Sequence, residues 1–452
     1  MLDTVCNQYI KEGISSISEK KHRAIEPLLY EQLNVNRGLR NKDGEGVLAG
    51  LTNISTIISH KREGSMMVPC EGKLYYSGID VEKLCQGFVE ENRFGFEETM
   101  HLLLFGELPT AIQINNVETI IAKYRTLPYD FIQEFIMEKP NADIMNMLAR
   151  NVLALYSFDN TPNNNDIYNI LRQLLKLIAV FPLLSVYGYY SYIGCNNSAD
   201  FVINRPKIGL STAENILHML RKNGKYSKLE AKILDIMLVL HAEHGGGNNS
   251  TFSMHVVSSS GTDTYSAIAA ALCSLKGPKH GGANIKVVQM ISEIKKNIKS
   301  WEDDDEIKVY LQKIMNKQAF DQSGLIYGMG HAVYSLSDPR AKILAGFVEQ
   351  LCKEKGRMQE YFLYKRIEEN AKKIIMEYKG NKNVSANIDY YSGFIYSMLD
   401  IPYELYTPLF AIARIVGWSA HRMEERINGG KIVRPSYKGI ADYKMYIPLS
   451  SR

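Results

Sequence analysis

Five of the ten histidines lie within one 91-residue stretch of this 452-residue chain, and the last two stand beside glycines: His241, His244, His255, His280 and His331. Imidazole gains and loses a proton near neutral pH, so this clustering suits acid–base chemistry. Farther along, Asp389 stands near an asparagine and before two tyrosines, in what we expect to be a glycine-ended turn. The pattern predicts proton transfer at carbon, with Asp389 as general base and His280 and His331 at developing oxyanions.

His280 is predicted to lie at the start of a helix. Gly277-Pro278 ends the preceding helix, and the next one is expected to begin near Gly281. That helix carries apolar residues on one face, namely Ile285, Val288, Ile291 and Ile294. The positive end of a helix dipole disfavours imidazolium, so His280 is expected to be neutral and able to donate a hydrogen bond to a carbonyl.

Three arginines stand beside a proline or within an apolar helix rather than on a charged face: Arg340, Arg414 and Arg434. A buried guanidinium needs an anionic partner, which is either a carboxylate of the protein or a ligand. Together they could hold a dicarboxylate through bidentate contacts. A structural salt bridge is an equally open interpretation for any one of them.

A zinc site is the main competing interpretation of the histidines. His241, His244 and His255 could supply three imidazoles, and the first two share a helix face. However, the sequence has no H-E-x-x-H motif, and Cys273 is the only cysteine nearby. It also lacks a phosphate-binding P-loop, a Rossmann glycine fingerprint and a G-x-S-x-G elbow. We therefore predict an enzyme without a metal or a resident cofactor.

The elements that must position these residues are predominantly helical. Apolar spacing predicts helices over 96–105, 229–240 and 302–315, and another from Thr262 or Asp263 to Lys276. The best candidate strand is short, at 73–76, and no βαβ alternation is present. The predicted fold class is all-α.

Composition is that of an ordinary globular protein, with 45% hydrophobic and 23% charged residues, and this excludes general disorder. The length predicts two or three compact units. Lys and Arg number 53 against 49 Asp and Glu, a net charge of +4 that argues against a nucleic-acid partner. Six cysteines without a C-x-x-C pair are expected to be reduced thiols.

The start of the sequence does not resemble a secretory signal or a transit peptide, so we expect a cytoplasmic protein. Residues 177–194 carry no charge and are just long enough to span a membrane. They contain Pro182, Gly188 and several hydroxyl-bearing residues. We therefore interpret this stretch as a pair of buried core helices and predict no membrane association.

An ordered series of motifs across residues 36–440 resembles the citrate synthase family. The segments are 38–41, 46–52, 71–79, 102–109, the segments around His244, His280 and His331, 337–341, the Asp389 segment, 413–421 and 434–435. The resemblance implies a homodimer of helical subunits. It also implies a large domain, 1–280 and 393–452, interrupted by a small domain, 281–392, that closes over substrate.

The resemblance also implies a reaction, the condensation of acetyl-CoA with oxaloacetate followed by hydrolysis of citryl-CoA. Asp389 would remove a methyl proton, His280 would stabilise the enolate, and His331 would activate the ketone. The residues implied to bind oxaloacetate are His244, Arg340, Arg414 and, from the other subunit, Arg434. Those implied to contact CoA are Leu325, Ile326, Tyr327, Gly328, Met329, Gly330 and Lys382.

Two departures from the family pattern leave the acyl chain open. Ala386-Asn387-Ile388 replaces the common Pro-Asn-Val, and a run of glycines follows His244. A rival with the same mechanism uses propionyl-CoA and forms 2-methylcitrate, since a pocket discriminates one methylene by only about 1–3 kcal/mol. A zinc hydrolase and a non-catalytic helical scaffold are the alternatives from other classes.

Overall fold

The computed structural model describes residues 7, 8, 11, 24–42, 45–64, 66–197, 203–331, 333, 334, 336–378, 380 and 383–451. The chain divides into two compact units, Met1–Leu51 and Thr52–Arg452. In the first, the described residues form a short helix, Pro27–Gln32, and a 3-10 turn, Arg37–Leu39. The predicted small domain, 281–392, lies inside the second unit and stays a prediction.

The second unit is built almost entirely of helices, which confirms the all-α expectation. In chain order they are Val81–Glu90, Phe96–Phe105, Ala111–Tyr124, Tyr129–Phe131 with the π-helix Ile132–Met137, Ile144–Leu155, Ile167–Asn197, Thr212–Leu220, Lys228–His241, Asn249–Ser258, Thr264–Leu275, Ala283–Asn297, Asp304–Met315, Pro339–Lys355, Met358–Tyr378, Ile388–Met398 and Tyr406–Asn428. Short 3-10 turns lie at Tyr156–Phe158, Tyr403–Leu405 and Leu449–Ser451.

The residues at the helix ends explain where the predicted helices begin and end in the structure. The helix Phe96–Phe105 begins and ends where the sequence pattern predicts. The side chain of Asp263 caps Thr264–Leu275 by accepting a hydrogen bond from a backbone N–H of its first turn. The helix Asp304–Met315 begins two residues later than predicted because Asp303 is its N-cap.

The core is centred on three helices. Lys228–His241 is buried nearly all round, as its sequence predicts, and packs against Tyr406–Asn428. The latter helix, which we call the Arg414 helix, also packs against the long helix Ile167–Asn197 and carries the fully buried Trp418.

The apolar stretch around Pro182 is one helix, Ile167–Asn197, and the predicted helix pair is wrong. A proline inside a helix removes one backbone hydrogen bond and usually favours a break. Here burial of the surrounding side chains outweighs that cost. In the described part of the chain this is the one helix long and apolar enough to cross a membrane. Core helices of soluble proteins can have the same length and apolar composition, and 78% of the apolar stretch of this helix is buried.

A three-stranded antiparallel sheet, Ser55–Glu63, Met66–Tyr76 and Ile79–Asp80, precedes the helices of this unit. Only its 73–76 segment was predicted. The first strand is mostly polar, and the second contains Pro69 and Gly72, so neither shows a sustained alternation. Pairing along the strands therefore supplies what local pattern lacks, with Ser55 opposite Tyr76.

Candidate active site

His244 and His331 meet in the interior of the second unit. His244 follows the helix Lys228–His241 and is buried, and its ring centroid lies 5.2 Å from that of His331. The ring of Tyr334 packs against both, 5.5 Å from His244 and 5.1 Å from His331. The structure thus brings together two histidines that stand 87 positions apart in the sequence.

Hydrogen bonds fix the tautomer of His331. Its Nδ1 accepts from the backbone N–H of Val333 at 3.0 Å and of Tyr334 at 3.3 Å. Burial, aided by the charge of Arg340, lowers the pKa of His331 to about 4, so the ring is neutral at pH 7. A neutral ring that accepts at Nδ1 carries its proton on Nε2. His331 is therefore a hydrogen-bond donor through Nε2, as activation of a ketone requires.

Arg340 and Asp338 form a buried bidentate pair. Arg340 Nε lies 3.0 Å from Asp338 Oδ1, and Nη2 lies 2.8 Å from Oδ2. Asp338 also caps the helix Pro339–Lys355 and accepts from the backbone N–H of Ile388 at 3.2 Å. Arg340 thus forms the structural salt bridge that the sequence left open as an interpretation. Through Asp338, the pair also connects the start of the helix Pro339–Lys355 to the helix that carries Asp389.

Arg414 is fully buried and forms no such direct ion pair with any residue that the structure describes. Its Nε donates to the carbonyl of His241 at 2.6 Å, and its guanidinium lies 4.6 Å from the ring centroid of Phe410. Its Nη1 has no hydrogen-bond partner among the described residues. Burial lowers the pKa of Arg414 to about 10, although nearby Glu243 acts in the opposite direction. The side chain keeps its charge at neutral pH and has a donor to spare.

Asp389 lies in the first turn of the helix Ile388–Met398, so the expected glycine-ended turn is wrong. The helix runs through Gly393, where a Cβ would come within 2.6 Å of Val288 and 2.7 Å of the Asn284 carbonyl. The glycine is thus a close helix–helix contact rather than a turn. Burial raises the pKa of Asp389 to about 6, and the charge of Arg340 limits the rise. The carboxyl is mostly ionised at pH 7.

The glycine loop 328–330 is hydrogen-bonded to the segment that precedes Asp389. The side chain of Asn387 donates to the carbonyl of Gly330 at 2.7 Å, and its backbone N–H donates to the carbonyl of Gly328 at 2.9 Å. Asn387 is also the N-cap of the Asp389 helix. The loop predicted to contact CoA is therefore fixed next to the predicted base.

His280 lies in the turn just before the helix Ala283–Asn297, close to its predicted place. Its Nε2 lies 3.1 Å from Ser250 Oγ, which accepts from the indole N–H of Trp418 at 3.2 Å. Burial, with the charge of Arg414, lowers the pKa of His280 to about 4. The ring is neutral at pH 7, and the causes are its burial and the charge of Arg414; the helix-dipole effect stays a prediction.

The remaining predicted site residues differ in placement. Leu325 is exposed, Ile326 is buried in the core, and the Tyr327 hydroxyl donates to Asp321 at 2.7 Å. Arg434 is exposed in the segment after the Arg414 helix. Lys382 lies outside the described residues.

The three histidines of the zinc alternative have separate surroundings. His241 Nδ1 lies 2.8 Å from the carbonyl of Met237, while His255 Nδ1 lies 3.3 Å from Glu425. No group of three potential ligands that could hold a metal ion occurs in the ranges that the structure describes. The geometry gives the zinc interpretation no support.

A buried ion pair behind His244 was missed by sequence reasoning. Glu243 Oε1 lies 3.0 Å from His421 Nε2 and accepts from Ser55 at 2.9 Å. The pair holds the residue next to His244 against the Arg414 helix and the first strand. Glu243 stands within the histidine motif, but its partner His421 follows 178 positions later. No local pattern therefore indicates that this carboxylate is buried and paired.

Several known proteins resemble this chain over most of its length. The family model described as Citrate synthase, C-terminal domain, matches residues 39–436. The chain is 34% identical over 407 residues to the citrate synthase of Synechocystis sp., and this match covers 90% of this chain and 93% of that relative. It is 31% identical over 388 residues to a 2-methylcitrate synthase of Shewanella oneidensis, with 84% and 92% covered.

Solved structures of citrate synthases also match this chain over most of its length. Citrate synthase from Thermotoga maritima matches with a TM-score of 0.72 at 28% identity, covering 92% of this chain and 99% of that one. A ternary complex of Thermoplasma acidophilum citrate synthase with carboxymethyl coenzyme A and oxaloacetate matches with a TM-score of 0.74 at 26% identity, covering 92% and 98%.

Proposed function

The chain belongs to the citrate synthase family, and from that premise we propose that it condenses acetyl-CoA with oxaloacetate and hydrolyses citryl-CoA to citrate and CoA. The reaction class is that of an acyltransferase. One observation carries the proposal: a carboxylate and two neutral imidazoles lie in one interior region with two buried arginines.

The proton chemistry follows from the protonation states. Asp389, ionised at pH 7, takes a proton from the acetyl methyl group, which is too weak an acid to react without help at the carbonyl. Neutral His280 stabilises the enolate oxygen, and His331 Nε2–H polarises the ketone of oxaloacetate. The enolate carbon bonds to the ketone carbon, and the ketone oxygen takes up one proton, equal in number to the one that Asp389 removed, to become a hydroxyl. Water then adds to the thioester carbonyl and the carbon–sulfur bond breaks, which gives the carboxylate, CoA as its thiol and one proton.

The two buried guanidinium groups suit oxaloacetate, which carries two carboxylates. Arg414 offers Nη1, for which the described ranges contain no hydrogen-bond partner, and Arg340 is held rigid by Asp338. His244 lies beside both His331 and Tyr334. We assign the binding of the dicarboxylate to Arg414, Arg340 and His244.

The exposed segment after the Arg414 helix supports a homodimer. Residues 430–448 form neither helix nor strand and expose large apolar side chains, including Tyr437, Tyr443 and Met445. Such a run of apolar side chains is typical of a surface that a partner covers. In this proposal Arg434 enters the site of a second copy, and 281–392 closes over both substrates.

Propionyl-CoA is the alternative acyl donor, because relatives of both kinds match over most of the chain. Thiol release from each thioester, with and without oxaloacetate, distinguishes the two. We expect oxaloacetate-dependent release that a chelator does not reduce, since no step uses a metal. The thioester with the higher kcat/KM identifies the substrate.

Asp389→Ala tests the base, and the exposed Asp130→Asn is its control. We expect Asp389→Ala to lower kcat by about 100- to 10,000-fold and the control to match wild type. No thiol release from either thioester by a folded, dimeric wild-type sample would refute the proposed function.

A further inference from the structure

Tyr334 packs against His244 and His331 and is the most buried of these three side chains, with 1% of its surface exposed. Its ring contacts His244 and His331, as given above, and the guanidinium carbon of Arg340 lies 5.8 Å from its centroid. Three residues assigned to oxaloacetate therefore surround one tyrosine that has no assigned role.

The ring is fixed in place from two sides. A Cβ at Gly72 would lie 2.7 Å from Tyr334 Cδ1, so the strand Met66–Tyr76 approaches the ring as only glycine allows. The backbone N–H of Gly72 donates to Ser337 Oγ at 3.1 Å, which docks the loop between His331 and Arg340 on that strand. The Tyr334 hydroxyl consequently has one defined position.

That hydroxyl has no hydrogen-bond partner among the described residues, although it is buried. Unpaired buried polar groups are rare in native proteins, and each calls for an explanation. Other buried atoms of this region also have no partner in the described part of the chain, among them His244 Nε2 and Arg414 Nη1. The nearby Asp338 carboxylate is already engaged by Arg340 and by the backbone of Ile388.

The Tyr334 hydroxyl and Arg414 Nη1 are buried donors without an acceptor among the described residues, and they match a carboxylate, which offers about four acceptor positions. Burial also raises the pKa of the Tyr334 hydroxyl, so it keeps its proton at neutral pH and can only donate to an anion.

We infer that Tyr334 is a further substrate-binding residue, whose hydroxyl donates a hydrogen bond to a carboxylate of the dicarboxylate substrate. The inference rests on the proposed function, because it concerns the same site. It adds a phenolic hydroxyl donor to the guanidinium and imidazole groups already assigned to this substrate, which adds directional recognition.

Tyr334→Phe removes the hydroxyl and keeps the ring that packs on both histidines. A hydrogen bond to a charged group is lost, so KM for oxaloacetate is expected to rise about 10- to 100-fold. KM for the acyl-CoA should stay within about threefold, because the hydroxyl is assigned to the other substrate. In the absence of ligand, the variant should melt at or above the wild-type temperature, since it loses an unpaired polar group.

Tyr265→Phe is the matched control, because Tyr265 is also buried but its hydroxyl donates to Asp159 at 2.7 Å. That variant should melt at a lower temperature and keep both KM values. The second readout is the rise in melting temperature caused by oxaloacetate, which should shrink in Tyr334→Phe and persist in Tyr265→Phe.

The outcomes separate the two proposals. An active wild type together with an unchanged KM and an unchanged oxaloacetate shift in Tyr334→Phe would overturn the inference alone. A wild type that shows neither turnover nor a shift with oxaloacetate would overturn the proposed function and this inference together.

Discussion

Asp389 and the two histidines have pKa values displaced in directions that suit their proposed roles. The pKa of Asp389 is raised to about 6, whereas those of His280 and His331 are lowered to about 4. Of these three groups, only Asp389 therefore changes protonation between pH 5 and pH 7. In the proposed mechanism its carboxylate form is the active one, so the rate is expected to fall as the pH falls.

We predict a single acidic limb in the pH dependence of kcat/KM for the acyl-CoA, with a midpoint near pH 6 and a slope approaching tenfold per pH unit below it. Initial rates of thiol release between pH 4.5 and pH 8, at saturating oxaloacetate, provide the measurement. A rate independent of pH from 5 to 7 would contradict the assignment of Asp389 as the base.

Asp389→Asn should separate activity from stability. A carboxyl with a raised pKa in the folded state costs stability as the pH rises from about 3.8 to about 6, because the unfolded chain ionises more readily. At pH 7.5 the neutral amide avoids that cost, so the melting temperature should rise by about 1–3 °C. At the same time, kcat should fall by at least about 100-fold.

Thermal denaturation at pH 7.5 and at pH 4 checks the sign, since the gain should vanish at the lower pH, where Asp389 is protonated. A variant less stable than wild type at pH 7.5 would show that the ionised carboxylate is stabilising instead.

Contacts across long stretches of sequence limit what residue patterns could predict. The histidines, Asp389 and the arginines were identified from local sequence, because each stands in a motif with glycine, proline or apolar neighbours. Tyr334 and Glu243 were not singled out, since their meaning depends on partners such as Gly72 and His421 that only the fold brings near.

Helix packing places the base relative to His280. The helix Ile388–Met398 crosses Ala283–Asn297 at Gly393, where side chains larger than hydrogen do not fit. This crossing sets the distance between the Asp389 helix and the turn of His280. The spacing of the two proposed catalytic groups thus depends on one glycine, which lies one helical turn after Asp389.

Gly393→Ala should destabilise the protein by about 1–3 kcal/mol through overpacking. It should also lower kcat about tenfold or more, because displacement of the Asp389 helix misplaces the carboxylate. Gly346→Ala is the matched control: Gly346 lies inside the helix Pro339–Lys355, and a Cβ there would meet nothing within 4 Å. That change should stabilise by about 0.5–1 kcal/mol and leave kcat unchanged.

Urea denaturation and steady-state rates on both variants test this. Equal stability changes in the two variants would mean that the Gly393 contact relaxes without cost.

Elements with strong caps or clear apolar periodicity were predictable, and the others were not. Phe96–Phe105 has the predicted bounds because its apolar run and the glycine after it agree. The strand Ser55–Glu63 was missed because its residues are mostly polar and its pairing supplies the order. Pro182 favoured a helix break that burial overrides, so local preference and packing disagree there.

On the scale of the whole molecule, the site as we propose it needs two chains. Arg434 is exposed within an extended segment, and the other assigned groups lie in the interior of the second unit. A residue that serves the partner's site leaves its own subunit's site dependent on the second copy.

Subunit complementation tests this arrangement. Asp389→Ala and Arg434→Ala homodimers should each be strongly impaired, the latter chiefly through KM for oxaloacetate. Mixed by unfolding and refolding, they should recover about a quarter of the wild-type activity, because half of the dimers are hybrids with one intact site of two. Lys438→Ala, also exposed in the same segment, should keep its KM values.

Recovery would be absent if Arg434 served its own subunit. In that case, every site of a hybrid dimer would still lack one of the two side chains.

The long apolar helix Ile167–Asn197 has a consequence for biosynthesis. It packs against the Arg414 helix, which the ribosome makes about 200 residues later. At about 5–20 residues per second, the Arg414 helix follows roughly 10–40 s after this helix of membrane-spanning length has been made. The earlier helices Ala111–Tyr124 and Ile144–Leu155 can already pack on it, but its face toward the Arg414 helix lacks a partner during that time. A chain that terminates in this interval keeps that apolar face exposed and is prone to aggregate.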